Sequence, residues 1–249
     1  MQFADKVVVI TGAGSGIGRT CALRFAAEGG KVVVAEYNAE AGQATVQQIT
    51  EAGGTASFVQ TDVSNSASVQ AMIQHAVSTY GRLDVLYNNA GVAGEVKPVA
   101  DYSEDVFART MGVDLFGVFF GMKYGLQQFE RQGNGGVIVN MASTAGLRAT
   151  PGMIAYSASK FAVVGMTMTA ALEYADKNIR INAVCPGAIE TEGLKSMGAE
   201  LLKQYVSHQP MKRFGTPDEV ANAVLFLASD AASLLTGIAM PTDGGLSTR

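Results

Sequence analysis

The sequence predicts an α/β fold: one doubly wound parallel sheet with helices on both faces. Three observations carry that prediction. Short β-branched runs alternate along the whole chain with segments of helical character, the pattern of strands joined by crossover helices. The runs are continuously apolar, as in Val7-Val8-Val9-Ile10 and Val137-Ile138-Val139, which suits strands buried on both faces. The first run ends in a glycine-rich loop, Thr11 to Gly18, that opens a helix. With 249 residues and no repeat, low-complexity tract or linker, the chain reads as one domain, 1–249.

Val7 to Ile10 is the first strand, and the helix from Arg19 to Glu28 is closed by Gly29-Gly30. Between them, glycines let backbone approach a pyrophosphate, and the helix N-terminus offers unpaired N–H groups to it. Counted from Gly12 the spacing is G-x-x-x-G-x-G, so Gly12, Ser15, Gly16, Ile17 and Gly18 form a longer variant of the dinucleotide fingerprint. Lys31 to Ala35 is the second strand, and Glu36 ends it where a ribose-binding carboxylate is expected. Glu36 would accept from an adenosine 2′-hydroxyl and repel a 2′-phosphate. With Tyr37 beside it, and Ser15 rather than a basic residue in the loop, the sequence favours NAD over NADP.

Ala39 to Ala52 is helical, and Thr55 to Gln60 is a third strand leading to Asp62, which touches an adenine or caps a helix. Ser66 to Tyr80 is the next helix. The fourth strand, Leu83 to Tyr87, enters Asn88-Asn89-Ala90-Gly91, whose small residues let backbone lie against a cofactor. Ser103-Glu104-Asp105 opens a helical segment running to about Gln132, its phenylalanine stripe serving as core and subunit contact. The fifth strand, Val137 to Met141, delivers Ser143 to its carboxyl end, where open α/β sheets place their ligand crevice. Gly152 to Ala175 is a helix rich in small residues, and Ile179 to Cys185 is the sixth strand, running into Pro186-Gly187. A weakly helical stretch of mixed polarity at about 190–213 suits a movable substrate lid. Thr216-Pro217-Asp218-Glu219 starts a helix that reaches Ala228, and Thr236 to Met240 is the last strand.

The chemistry centres on Tyr156 and Lys160. Residues at this spacing share a helix face, so phenol and ammonium point into the same space. A phenol ordinarily ionises near pH ~10, too high for efficient proton transfer at neutral pH. An ammonium at ~4 Å contributes roughly 4 kcal/mol toward the phenolate at an effective dielectric of ~20, which makes the pair an acid/base device. Ser143 would hydrogen-bond the substrate oxygen. Val92, Ala93, Gly94, Ala145, Leu147, Met153, Gly187 and Leu194 surround the expected reacting carbon and imply an apolar pocket, unless Glu95, Lys97 or Arg148 enters it.

Composition narrows the classes. A net charge of −4 with no basic block argues against nucleic-acid and anionic-membrane surfaces, and no apolar run is long enough to span a bilayer. Small molecules are the expected partners. Cys21 and Cys185 make no disulfide framework, and the N-terminus lacks a signal pattern, which points to the cytoplasm. His75 and His208, the only histidines, leave no metal cluster.

Taken together, Thr11 to Gly18, Asn88 to Gly91, Ser143, Tyr156 to Lys160 and Pro186-Gly187 resemble the short-chain dehydrogenase/reductase family over essentially the whole chain. The resemblance implies a seven-stranded Rossmann-type sheet, hydride transfer at C4 of a nicotinamide, and usually a homotetramer. It makes the tyrosine the general acid/base, the lysine its helper and a ligand of the nicotinamide ribose, and the serine the group that orients substrate. Cofactor contacts carry over onto Ile17, Glu36, Asp62, Val63, Asn89, Ile189 and Thr191, with Ala90, Gly91, Pro186 and Gly187 in the matching loops. One position departs from the pattern: Asp114 stands where the family usually has an asparagine that supports a proton relay. Its charge is expected to stabilise Lys160 as ammonium, weaken its pull on Tyr156 and alter the pH optimum. The resulting expectation is an NAD-dependent alcohol dehydrogenase or ketoreductase acting on a secondary alcohol or ketone. A non-catalytic dinucleotide-binding or redox-sensing protein is the alternative, and a methyltransferase would have no use for the Tyr/Lys pair.

Overall fold

The structure, a computed structural model, describes residues 1–192, 206–207 and 209–248. Its strands are β1 (Val7–Thr11), β2 (Lys31–Glu36), β3 (Thr55–Gln60), β4 (Val85–Asn88), β5 (Gly136–Met141), β6 (Ile179–Pro186) and β7 (Ala239–Thr242). They form one seven-stranded sheet in the order β3-β2-β1-β4-β5-β6-β7, every pair parallel. The doubly wound, Rossmann-type expectation holds.

The helices are α1 (Gly16–Ala27), α2 (Ala39–Glu51), α3 (Ser66–Tyr80), α4 (Glu104–Met111), α5 (Gly117–Gln132), α6 (Ile154–Tyr174) and α7 (Pro217–Ala228). Because strand side chains alternate between faces, the sheet builds two cores. Val9, Val33, Leu86, Ile138 and Ile181 pack with Ile73 of α3, Phe129 of α5 and Val163 of α6. Val8, Ile10, Val34, Val139 and Val184 pack with Phe25 of α1, Ile49 of α2 and Val224 of α7. Each such side chain contributes about 1.5–3 kcal/mol on burial, and the central strands are buried along their whole length. That two-sided burial is why they read as unbroken apolar runs.

Element ends shift by one to three residues from the sequence reading, β4 for example running Val85–Asn88 rather than Leu83 to Tyr87, and two differences have a local cause. The last strand occupies Ala239–Thr242 rather than Thr236 to Met240. Gly237 has φ +78°, which breaks the extended path, and the Thr236 hydroxyl accepts from the Ile181 N–H, so this stretch crosses to β6 as a loop. Pro241 is tolerated because β7 is an edge strand. The segment to Gln132 is helical throughout but carries a π-helical insertion, Gly112–Phe116, between α4 and α5. Such insertions rotate the residues that follow and recur at functional sites, and this one holds Asp114. Of the expected lid, residues 193–205 and 208 lie outside the described residues. Among those described, no helix is long and apolar enough to cross a membrane.

Candidate active site

Where the strand order turns from β1 to β4, the crossovers on either side diverge and leave a crevice at the carboxyl edge of the sheet. A cleft of about 1510 Å³ opens there. It is lined by every residue expected to bind cofactor, from Gly12 in the first loop to Thr191 after β6, and by Ser143, Tyr156 and Lys160. Asp114 does not line it. That residue is fully buried behind Lys160.

The glycine loop is shaped by steric need. Gly12 and Gly16 have φ of +63° and +49°, and a Cβ on Gly18 would lie 2.1 Å from the Gly12 carbonyl oxygen. Helices α2, α3, α4 and α7 are capped by the side chains of Asn38, Asn65, Ser103 and Thr216. Helices α1 and α6, which begin at the cleft, have no side-chain cap. In α1 this leaves the first-turn N–H groups and the positive end of the helix dipole available to an anion. Glu36, at the end of β2, accepts from Gly14 N at 3.0 Å and Asn38 N at 3.1 Å. A pyrophosphate-ready helix end and a carboxylate at the ribose position fit a dinucleotide.

Asp62 lines the cleft and accepts from the N–H and hydroxyl of Ser64, at 2.9 and 2.7 Å, while α3 is capped by Asn65 and not by Asp62. The Asn89 amide donates to the carbonyls of Thr11 and Gly12, at 2.9 and 3.2 Å, tying the β4 loop to the β1 loop. Its side chain therefore shapes the cleft by bracing it.

At the other end, Ser143 caps a short turn, Thr144–Gly146, by accepting from Ala145 N at 3.1 Å. A Cβ on Gly146 would lie 2.5 Å from the Lys160 carbonyl oxygen, so the bare glycine lets α6 press against this turn. Tyr156 is half-buried and Lys160 is 2% exposed. The Lys160 ammonium sits 5.3 Å from the Tyr156 ring centroid, donates to the Met141 carbonyl at 3.1 Å, and lies 3.2 Å from Asp114 Oδ2. The other Asp114 oxygen accepts from Val92 N at 2.7 Å. Burial pulls the lysine toward neutrality, but the negative charge of Asp114, joined by that of Tyr156, outweighs it and holds the ammonium above the usual lysine range. Burial likewise pushes the Asp114 carboxyl up, against the opposing pull of Lys160 and the Val92 N–H. A phenol beside a buried cation, on the wall of a cleft that a serine hydroxyl also lines, can exchange a proton with a bound oxygen.

The substrate end is apolar where the sequence expected it, with Val92, Ala93, Gly94, Ala145, Met153 and Gly187 on its walls, joined by Val96 and Leu246. Leu147 departs from the expectation and packs against the core, and Leu194 lies outside the described residues. Glu95 is satisfied by Ser103 N and Lys97, at 2.6 and 2.8 Å, and neither Glu95 nor Lys97 lines the cleft. Arg148 reaches it, but donates to the Leu246 carbonyl at 2.7 Å.

Sequence reasoning passed over several supporting residues. The Thr11 hydroxyl accepts from the N–H groups of Asn89 and Ala90, at 2.9 and 3.0 Å. Buried Asn88 donates to Asn140 at 2.9 Å, and Asn140 to Thr167 at 3.0 Å. An asparagine at the end of two apolar strands was the available signal, because buried amides demand partners. Arg19, which donates to the Gly14 carbonyl, left no such mark.

A family model described as enoyl-(acyl carrier protein) reductase matches residues 12–247. A protein of Thermotoga maritima described as an uncharacterized oxidoreductase is 44% identical, over 98% of this chain and 98% of its own. The cyclohexanol dehydrogenase of an Acinetobacter species is 42% identical, over 100% of this chain and 97% of its own. The crystal structure of levodione reductase matches with a TM-score of 0.95 at 36% identity, covering 99% of both chains.

Proposed function

This chain belongs to the short-chain dehydrogenase/reductase family, and from that premise we propose that it is an NAD-dependent alcohol dehydrogenase or ketoreductase in which Tyr156 is the general acid/base. Members of the family work with a nicotinamide dinucleotide and act on alcohol or ketone groups. The observation that carries the finer reading is the Lys160 ammonium, held charged in a buried position against Tyr156. Keeping a cation out of water costs several kcal/mol; a ribose contact alone would use the lysine, but its placement against a phenol at the cleft wall supports a proton-transfer role as well.

The nicotinamide, when bound, supplies or accepts the hydride at C4. The chain does the rest. Ser143 holds the substrate oxygen, Tyr156 takes its proton during oxidation and returns it during reduction, and Lys160 keeps positive charge beside the phenol. One of the lysine's donors goes to Met141 and its charge pairs with Asp114 at 3.2 Å, which leaves donor capacity for a ribose hydroxyl. Asp114 touches no reactant and acts through Lys160 as a positioning residue. Glu36 selects NAD by accepting from a 2′-hydroxyl and opposing a 2′-phosphate, and a cofactor kept mostly oxidised would favour the alcohol-oxidising direction. With Glu95 and Lys97 off the cleft and Arg148 bonded to Leu246, the walls offered by Val92, Ala93, Ala145, Met153 and Leu246, beside polar Arg109, Thr150 and Gln209, support a cyclic or hydrophobic secondary alcohol. The relatives named for cyclohexanol and levodione agree with that class. Half-exposed Phe116, Phe119 and Phe161, with Leu172 84% exposed, supply apolar surface on the π-helical insertion, α5 and α6 for the homotetramer.

NADH formation with a panel of alicyclic alcohols tests the proposal. Tyr156→Phe is expected to lower kcat by at least ~100-fold, the usual worth of a general acid/base, while NADH binding survives. Activity retained within about tenfold would remove Tyr156 from the mechanism.

A further inference from the structure

The loop between β1 and α1 is gripped from both sides at one residue. Gly14 donates its N–H to Glu36 Oε2 at 3.0 Å. Its carbonyl accepts from Arg19 twice, from Nε at 2.9 Å and from Nη2. The third arm of the guanidinium, Nη1, lies 3.3 Å from Glu192 Oε1. A guanidinium is a rigid planar fork, so two bonds to one carbonyl hold the Gly14–Ser15 peptide and pin the Gly14 Cα, from whose other side the N–H of the preceding peptide reaches Glu36. Space imposes the same arrangement. A Cβ on Gly14 would lie 2.8 Å from Glu36 Cγ and 2.9 Å from Glu36 Cδ. The carboxylate leans on bare backbone, with Asn38 N holding its other oxygen at 3.1 Å.

We propose that Arg19 is a positioning residue for cofactor choice: by anchoring the Gly14 backbone on which the Glu36 carboxylate rests it steadies that carboxylate, and so sharpens discrimination between a free adenosine 2′-hydroxyl and a 2′-phosphate. The inference rests on the NAD reading given above. A carboxylate fixed by two N–H groups keeps a lone pair on each oxygen for a hydroxyl donor and presents its charge at one place. A carboxylate free to swing can yield to a phosphate. The charge of Arg19 acts the other way, because a cation near the ribose attracts a phosphate. Positioning and charge therefore predict opposite signs when the arginine is removed.

Dissociation constants for NADH and NADPH, measured by cofactor fluorescence on the full chain, separate them. The NADPH-to-NADH ratio is expected to fall about tenfold in Arg19→Gln. Arg19→Lys, which keeps the charge without the fork, is expected not to restore it. Gly14→Ala, checked for folding by thermal melting, is expected to fall as far, and Glu36→Gln further. A ratio unchanged or raised in Arg19→Gln, or restored by Arg19→Lys, while Glu36→Gln still collapses it, overturns the role of Arg19 and leaves the NAD reading intact. Equal affinities in the unsubstituted protein overturn the NAD reading and this inference with it.

Discussion

Asp114 and Lys160 carry opposite charges 3.2 Å apart, at 0% and 2% exposure, one contact removed from the phenol expected to move the proton. A paired ammonium stabilises a phenolate less than a lone one, because the carboxylate cancels part of its field. Asp114→Asn removes that negative charge and keeps a carbonyl oxygen for the Val92 N–H. The phenolate is then favoured, so the pH at which alcohol oxidation reaches half its maximum is expected to move down. Rate–pH profiles at saturating cofactor read the shift directly, and an unmoved profile would show that the reacting proton does not feel Asp114. Asp114→Leu asks more of the fold. It strands a buried ammonium, and breaking a buried pair on one side costs about 3–5 kcal/mol, measurable by urea unfolding, whereas Asn should cost much less.

Helix α7 shows how an element's ends are fixed by local chemistry. Thr216 Oγ1 accepts from Glu219 N at 3.3 Å, and Glu219 Oε2 accepts from Thr216 N at 2.8 Å, a complete capping box with Pro217 in the first turn. Arg213, followed by the Thr216 N–H, holds the Glu219 carboxyl down from its ordinary 4.5 to about 2. Since the folded value is the lower one, the unfolded chain binds the proton first, and this contribution is present above the ordinary carboxylate range and lost as pH falls toward about 2. Glu219→Gln should therefore be less stable than the parent at neutral pH, with the gap closing over that acid window in parallel melts. Thr216→Ala should cost about 1 kcal/mol, the usual worth of an N-cap. On α5 the constraint is distance: a Cβ on Gly121 would lie 2.0 Å from Asn88 Oδ1, within the amide ladder that runs from β4 to β5. Gly121→Ala is expected to cost at least ~1–3 kcal/mol through overpacking, read by chemical denaturation. A change below ~0.5 kcal/mol would mean that the helix gives way freely.

Across the whole molecule, what was legible in the sequence is what one-dimensional pattern can encode. Central strands were visible because burial on both faces demands unbroken runs such as Val7 to Ile10, and α7 because Thr216, Pro217 and Glu219 mark its start. The edge strand was misplaced by three residues at its start because the Gly237 turn and the Thr236 bond to β6 depend on the neighbouring strand. The Lys160 and Tyr156 pairing was local to one helical turn. Its join to Asp114 was reached only through the family resemblance, because the π-helical insertion that makes it leaves no periodic trace, and the Arg19, Gly14 and Glu36 grip required three elements to converge. The cleft these pieces form joins the β1 and β4 loops, so its ligand should brace the protein as a unit. Binding to the folded state alone stabilises by about 2.7 kcal/mol at one hundred times the dissociation constant, and each kcal/mol is worth roughly 2–4 °C in Tm at this chain length. NADH at that concentration is thus expected to raise Tm by roughly 5–10 °C, and NADPH at the same concentration by distinctly less, because Glu36 opposes its extra phosphate. Equal shifts with both would remove the preference for NAD, and no shift with either would remove the dinucleotide from this cleft.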